Sequence, residues 1–387
     1  MRVLLLHNRY RFEGGEERAL ELHLRALERA GVEHRLLERR SGDAARARAA
    51  VALVRGGERE EAIAAAVRDL PADVVHAHNM LPLIGPRGLA AARAAGARVV
   101  LHLHNARLFC AIGVAARDGA PCFRCRGRNT LPGLVLGCRG SVPEAVAYAA
   151  GLALHQPLAF ESVDRFVAPS RWAAGQLELL GVPGNRLEVL PNYLPAAELA
   201  STSRAQEGGY ALAAGRLSPE KGMDVAIEAA ARAGVPLKIA GEGPAGGELA
   251  GLARRIGAPV ELLGQVPRAR LRELLGRAAM LVLGSRCHEF APFAVLEAMG
   301  AGVPVAASRS GGTPELVGAE RCVPLGDPQA LAARMRALWE DPARRRDEGE
   351  ALRARAAERY SEERFRRDLL GLYRRLTGAG DGGPASR

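Results

Sequence analysis

Short apolar runs alternate with longer amphipathic stretches along this chain. RVLLLH (2–7), EHRLLE (33–38), DVVHAH (73–78), RVVLHLH (98–104) and DRFVAP (164–169) read as strands, with helical segments such as 16–30 and 82–95 between them. Buried strands separated by helices predict right-handed βαβ units and a parallel sheet. Residues 190–209, rich in Pro, Ser, Thr and Gly, break the rhythm and read as an interdomain linker. A second series follows, with strands at 209–215, 235–241, 259–264, 279–285 and 303–308 and helices at 221–234, 244–257, 267–278 and 291–301. The end of the chain is helical and arginine-rich, and its tail TGAGDGGPASR (377–387) reads as frayed. The expected fold class is α/β, with two doubly wound parallel-sheet domains facing a cleft. In such sheets ligands bind outside the carboxyl ends of the strands.

Composition narrows the classes. The 387 residues fit two domains, and 48% hydrophobic content excludes a disordered chain. The longest apolar stretch, 145–154, is too short to span a bilayer, and the run Val3–Leu6 reads as a first strand rather than a signal peptide. Six cysteines in this length do not make a secreted disulfide scaffold. The expected location is the cytoplasm, with contact at the inner face of the membrane. Net charge is +11, and of the 54 basic residues only Lys221 and Lys238 are lysine. Codon bias explains the preference for arginine. It does not explain why Lys221 stands in GRLSPEKG (215–222), where a strand end gives way to a helix.

That loop carries Arg216 and Lys221 beside an expected helix start at Ser218-Pro219-Glu220. Two cations at a helix N-terminus suit a diphosphate. In EFAPFAVLEAMGAGVPVAAS (289–308), Glu289 precedes a helix and Glu297 lies inside it, eight residues or a little over two turns on, so both carboxylates can lie on the same side near the helix start. Carboxylates accept hydrogen bonds from paired sugar hydroxyls. Backbone N–H groups near Ala291 and Phe293 could meet a phosphate, but Pro292 has none to offer.

GRLSPEKG, GEGP (241–244), LGQV (263–266), E-x7-E, AxGVPVxAS and GGTPELV (311–317) follow one another in an order that resembles the retaining family-4 glycosyltransferases with the GT-B fold. RVLLLHN with Gly14-Gly15, VVHAHN (74–79), LHLHN (101–105), VAPSRWAAGQL (167–177) and PNY (191–193) extend the resemblance over residues 1–370. It implies an acceptor domain at 1–195, a donor domain at 207–355 and a C-terminal helix at 356–376 that returns to the first domain. It also implies site roles. Arg216 and Lys221 would hold the donor diphosphate and stabilise its leaving charge. Glu289 would hold sugar hydroxyls and Glu297 the ribose. Gly241, Glu242 and Gly243 would line the nucleotide pocket, Val266 would contact the base through its backbone, and His104 would face the transferred sugar. Gly14 and Gly15 would allow close approach to phosphate and acceptor. Ala291-Pro292-Phe293 departs from the Gly-Phe-Pro or Gly-Phe-Gly usual after the first Glu, placing a bulkier residue by the sugar.

The implied reaction is transfer of a hexose from a GDP- or UDP-sugar, with anomeric retention, to a glycan or lipid-linked acceptor in envelope or exopolysaccharide assembly. The chain contains no D-x-D, the usual carboxylate anchor for a divalent cation on a diphosphate, so no catalytic cofactor is expected. Three other readings compete with this one: a nucleotide-sugar epimerase or phosphorylase of the same fold, a non-enzymatic nucleotide-sugar-binding partner, and a metal-dependent hydrolase. The last would use the H-x-H pairs His76/His78 and His102/His104, which share strand faces. It lacks an evident carboxylate ligand and leaves the second domain unexplained. The bland reading makes these histidines cleft-lining polar groups with His104 alone functional.

Cys110, Cys122, Cys125 and Cys138 are spaced C-x11-C-x2-C-x12-C within an insertion, 106–141, of little regular pattern. A structural zinc site is the expectation, with free thiols or an iron–sulfur cluster as alternatives. The insertion holds six Arg and one Asp. Without a nucleic-acid-binding motif, this charge points to an anionic membrane surface or a phosphate-bearing lipid acceptor rather than nucleic acid.

Overall fold

A computed structural model describes residues 1–9, 14–41 and 46–378; of the expected frayed tail, 379–387 lie outside the described residues. The chain divides into two compact units, one of Met1–Val114, Phe123–Pro191 and Glu363–Arg387, the other of Ala115–Cys122 and Asn192–Glu362.

The first unit is built on six parallel strands: β1 (Arg2–Arg9), β2 (Glu33–Arg40), β3 (Val74–Asn79), β4 (Arg98–His102), β7 (Arg165–Ala168) and β8 (Leu187–Val189). The intervening β5 (Ala116–Arg117) and β6 (Ala120–Pro121) form a separate antiparallel ladder within the residues of the second unit. The large sheet runs β2-β1-β3-β4-β7-β8. β3 is buried throughout and β1 at all but its two end residues because both faces are covered, and each carries an apolar run, Val3–Leu6 and Val74–Val75, before polar residues at its carboxyl end. Successive crossovers leave β1 in opposite directions, so the switch point of this sheet lies between β1 and β3. Helix Glu362–Thr377 buries Phe365, Leu369, Leu372 and Tyr373, the i, i+4, i+7 stripe of an amphipathic helix.

The second unit repeats the plan. Its strands are β9 (Ala211–Ala214), β10 (Leu237–Ala240), β11 (Val260–Gly264), β12 (Met280–Leu283), β13 (Val305–Ser308) and β14 (Cys322–Val323), in the order β11-β10-β9-β12-β13-β14. Alternate strand residues feed different cores: Ala211 and Ala213 pack into one cluster and Leu212 into the other. The switch point is between β9 and β12. Two doubly wound parallel sheets are therefore present, as the alternating pattern implied.

Three local expectations need correction. β8 and β14 are absent from the sequence reading because runs of three and two residues carry no alternation. Most of 190–209 is folded into the second unit rather than free: Leu194 is buried and donates its N–H to Tyr360 O at 2.9 Å. Ser218 does not start an α-helix. Residues Pro219–Lys221 form a single 3-10 turn, the Ser218 hydroxyl turns to Glu220 Oε1 at 2.6 Å, and the α-helix begins at Met223 behind Gly222.

Candidate functional site

In the second unit, the loops after β9 and β12 meet at the switch point. Gly222 has φ +60°, and a Cβ there would lie 2.0 Å from the Gly284 carbonyl oxygen. This contact lets the Lys221 loop lie against the end of β12. Lys221 Nζ reaches both carboxylate oxygens of Glu289, at 2.8 and 2.9 Å, and the Ser285 hydroxyl donates to Glu289 Oε1 at 2.9 Å. Burial works against the Lys221 charge, but Glu289 outweighs it and holds the lysine above its ordinary pKa. The Glu289 backbone is clamped in turn. Its N–H donates to Ser310 Oγ at 2.9 Å, and its carbonyl accepts from Gly312 N at 2.8 Å. Gly311, at φ +51°, passes so close that a Cβ would sit 2.1 Å from the Glu289 oxygen. Two groups 68 residues apart are thus fixed by glycine contacts and short polar bonds.

The GEGP glycines have the same cause. A Cβ on Gly241 would lie 1.9 Å from Gly215 O, and one on Gly243 would lie 2.4 Å from Leu217 O. Glu242 Oε1 accepts from Gln265 N at 3.3 Å, tying this loop to the LGQV turn where Val266 is half-buried. Arg216 is exposed. Ala291, Pro292 and Phe293 lead into helix Phe293–Gly300, and Glu297 within it lies 3.7 Å from Arg268. Glu289 lies in the loop before this helix and Glu297 within it, as read from the sequence.

In the first unit, the segments ending β1, β3 and β4 converge. Asn79 and Asn105 close the HAHN and LHLHN motifs with the same device. Each side-chain oxygen accepts the N–H two residues on, from Leu81 at 3.2 Å and Arg107 at 2.9 Å. Asn105 also donates to Glu16, in the first turn of helix Gly15–Arg29. Gly14, just before that helix, has an extended backbone, and a Cβ would meet only Glu17 Oε2 at 3.7 Å. The protein itself thus does not require glycine at position 14. A pocket of about 310 Å³ is lined by Glu16, His78, Asn79, His102, His104 and Arg107 among others.

Beneath it lies a stack of imidazoles. His23, His76, His78 and His102 are buried, and His104 is half-buried at their outer end. His102 and His104 stack with centroids 4.1 Å apart, and His78 and His104 at 5.1 Å. Burial drives all five below the ordinary histidine range, His23 and His104 to about 3, so the column is neutral at physiological pH. Of the two H-x-H pairs, His76 is an interior group, whereas His78, His102 and His104 line the pocket. Sequence reasoning missed His23 and Tyr373, which complete the column from two helices.

Two histidine trios, His23/His76/His78 and His78/His102/His104, bring ligand atoms within 4.8 Å of one another. The linking nitrogens are 2.7 and 2.9 Å apart, which is hydrogen-bond spacing. Two nitrogens sharing a tetrahedral ion at the usual bond length stand about 3.3 Å apart. Neither trio includes a carboxylate to offset a buried dication. Among the described residues no such group contains the sulfurs of Cys110, Cys125 and Cys138 from the first unit, nor Cys122 from the second.

Comparison with known proteins agrees with this layout. The "Glycosyl transferase 4-like domain" model matches residues 14–193 and the "Glycosyl transferases group 1" model residues 197–355. An exopolysaccharide phosphotransferase of Streptomyces coelicolor is 35% identical over 184 residues, 45% of this chain and 19% of that protein. WcaL of Salmonella typhimurium, named as a colanic acid biosynthesis glycosyltransferase, is 31% identical over 193 residues, 46% of this chain and 48% of its own length. The matches thus span about a fifth and about half of these relatives. Among solved structures, Anabaena HepE in complex with UDP-glucose superposes with a TM-score of 0.69 at 18% identity, covering 96% of this chain and 99% of that one. A sucrose-phosphate synthase from Thermosynechococcus elongatus gives 0.75 at 17% identity, covering 98% and 100%. With both halves matched in succession and both sheets in place, the chain belongs to the GT-B glycosyltransferases.

Proposed function

We propose that this chain transfers a hexose from a nucleotide-diphosphate sugar to a glycan or lipid-linked acceptor, with retention at the anomeric carbon. The observation that carries the reading is the Lys221–Glu289–Ser285 cluster at the β9/β12 switch point, beside loops whose glycines leave the backbone bare. In the free protein Lys221 and Glu289 satisfy each other. A bound donor divides them: the ammonium turns to the diphosphate and the carboxylate accepts from sugar hydroxyls. Arg216, exposed on the same loop, adds the second cation, and Glu297 takes the ribose. The charge that develops on the leaving diphosphate is met by these two cations. The acceptor hydroxyl approaches on the face from which the diphosphate leaves, and a diphosphate oxygen takes its proton. No divalent ion is needed for this scheme.

UDP-glucose in the HepE complex favours a UDP-hexose donor, and the colanic acid assignment of WcaL favours an envelope or exopolysaccharide acceptor. Among the described residues no helix is long and apolar enough to cross a membrane. Exposed Leu131, Val135 and Val142 lie in the same region as Arg126, Arg128 and Arg139, a combination suited to resting on anionic lipid at the cytoplasmic face. Zinc at Cys110, Cys122, Cys125 and Cys138 is a separate proposal; metal analysis of the purified protein should find about one equivalent, and its absence removes the idea.

The functional test is incubation with UDP- and GDP-hexoses and a glycan acceptor panel, followed by NMR of the product. Turnover in EDTA with an unchanged anomeric configuration is expected. Turnover that stops in chelator and returns with Mg²⁺, or an inverted product, contradicts the scheme.

A further inference from the structure

The imidazole column is joined by a specific set of bonds. Tyr373 Oη lies 2.9 Å from His23 Nε2 and 2.8 Å from His76 Nδ1. His23 Nδ1 lies 2.7 Å from His78 Nε2, and His78 Nδ1 lies 2.9 Å from His104 Nε2. Each neutral imidazole carries one N–H, so every link has one donor and one acceptor, and along the run His23–His78–His104 the protons must all point the same way, whereas the Tyr373 oxygen can accept from two sides.

Three arrangements satisfy all the links; in one of them the Tyr373 oxygen accepts from both His23 Nε2–H and His76 Nδ1–H, which leaves the buried tyrosine hydroxyl proton without an acceptor. In the first of the other two, Tyr373 donates to His23, His23 Nδ1–H to His78, and His78 Nδ1–H to His104 Nε2. His76 Nδ1–H then donates to the Tyr373 oxygen. The one atom left over is His76 Nε2, a bare acceptor, and it is indeed buried without a partner. In the second direction every proton is reversed. His104 Nε2–H donates inward, His23 Nε2–H donates to the Tyr373 oxygen, and the tyrosine hydroxyl donates to His76 Nδ1. His76 must then carry its proton on Nε2, leaving a buried N–H with no acceptor. Orphaned buried donors are rarer and costlier than under-used acceptors. His102, whose two ring nitrogens are also buried without hydrogen-bond partners, and His7, whose Nε2 lies 3.8 Å from Glu17 Oε1, take no part in these links and do not alter the comparison.

We propose that Tyr373, His23 and His78 form a directed hydrogen-bond chain that fixes His104 as its Nδ1–H tautomer, presenting an N–H donor to the pocket. The ligand it recognises is an oxygen lone pair, such as that of a sugar hydroxyl or ring oxygen. A proton cannot be accepted at Nδ1 in this state, so His104 orients the sugar and does not act as base. Tyr373, His23 and His78 are positioning residues. Neutrality of the column fits this role, since burial keeps His104 uncharged well into the acid range. The inference rests on the glycosyl-transfer reading for the identity of the ligand, but not for the tautomer.

The test is long-range proton–nitrogen NMR of the full-length protein labelled with 15N in its histidine rings. The His104 signals are identified by their loss in His104→Gln. A protonated-type Nδ1 and a bare-type Nε2 are expected for His104. His78→Phe should release His104 to a mixture of tautomers, and His78→Gln, whose amide can either donate or accept, should do the same. In the transfer assay His78→Phe should lower kcat at least ~tenfold with little change in donor KM, the pattern of a lost orienting partner. A bare Nδ1 in the wild-type protein overturns the proposal, as does a His104 signal that both His78 variants leave unchanged. Failure of UDP, GDP and their hexose conjugates all to bind, with the tautomer as described, would instead refute the glycosyl-transfer reading alone.

Discussion

At the scale of single residues, one ion pair and one glycine contact shape the proposed donor site. Glu289 is only 12% exposed at its side chain, so removing Lys221 leaves a carboxylate held by Ser285 alone. Lys221→Ala should lower transfer on the order of 10²–10³-fold, the scale of losing one charge-stabilising donor. Melting should drop by only a few degrees, because the pair is partly solvated. A variant with full turnover would remove Lys221 from the mechanism. The pH dependence has a definite sign. The folded lysine pKa is raised above the usual 10.5, so its stabilisation is complete below that value and is lost as pH climbs through the folded one. Alkaline melts should therefore fall more steeply for the wild type than for Lys221→Met. Gly222→Ala combines φ +60° with a 2.0 Å clash against Gly284 O, so it should cost more than ~1 kcal/mol and weaken donor binding along with stability. A melt unchanged from wild type would show that the loop can move aside.

At the scale of elements, the sequence exposed the strands and concealed their meeting. β1 and β3 were legible because strands covered on both faces carry consecutive apolar residues, Val3–Leu6 and Val74–Val75. The H-x-H pairs were visible as a period of two. Their partners were not: His23 lies on a helix 53 residues before His76, and Tyr373 nearly 300 residues after it. Only the fold brings these together. Likewise the E-x7-E spacing showed Glu289 before a helix and Glu297 within it, but not the glycines from other loops that hold Glu289 in place. The column itself should make the first unit acid-labile. Unfolded histidines protonate near pH 6.5, but the buried ones resist down to their depressed values, about 3 for His23 and His104. Stability is thus full above 6.5 and falls as pH drops below it, by up to ~1.4 kcal/mol per pH unit for each histidine. Urea midpoints at pH 7.5 and 5.5 should differ strongly in the wild type and less in His23→Phe. Equal midpoints in the wild type would contradict the buried, neutral column.

At the scale of the whole molecule, the net charge of +11 acquires a location. The insertion's arginines accompany exposed apolar side chains on neighbouring short elements, such as Val135 at 74% exposure. Sedimentation with vesicles should show binding to acidic lipid that weakens with salt, and equal binding to neutral vesicles would argue against an electrostatic contact. Fold and family were legible in the sequence because both depend on short motifs at strand ends, where parallel sheets place their loops. The base, sugar and acceptor were not, because they depend on pocket shape assembled from distant loops. The central claim is that the Lys221–Glu289 site receives a nucleotide-diphosphate sugar. Its most direct test is a thermal-shift panel of UDP, GDP and their hexose conjugates against the wild type and Lys221→Ala. One nucleotide series should raise the wild-type melting temperature with increasing concentration and lose that effect in the variant. No shift with any of them, or the same shift in both proteins, would contradict the account.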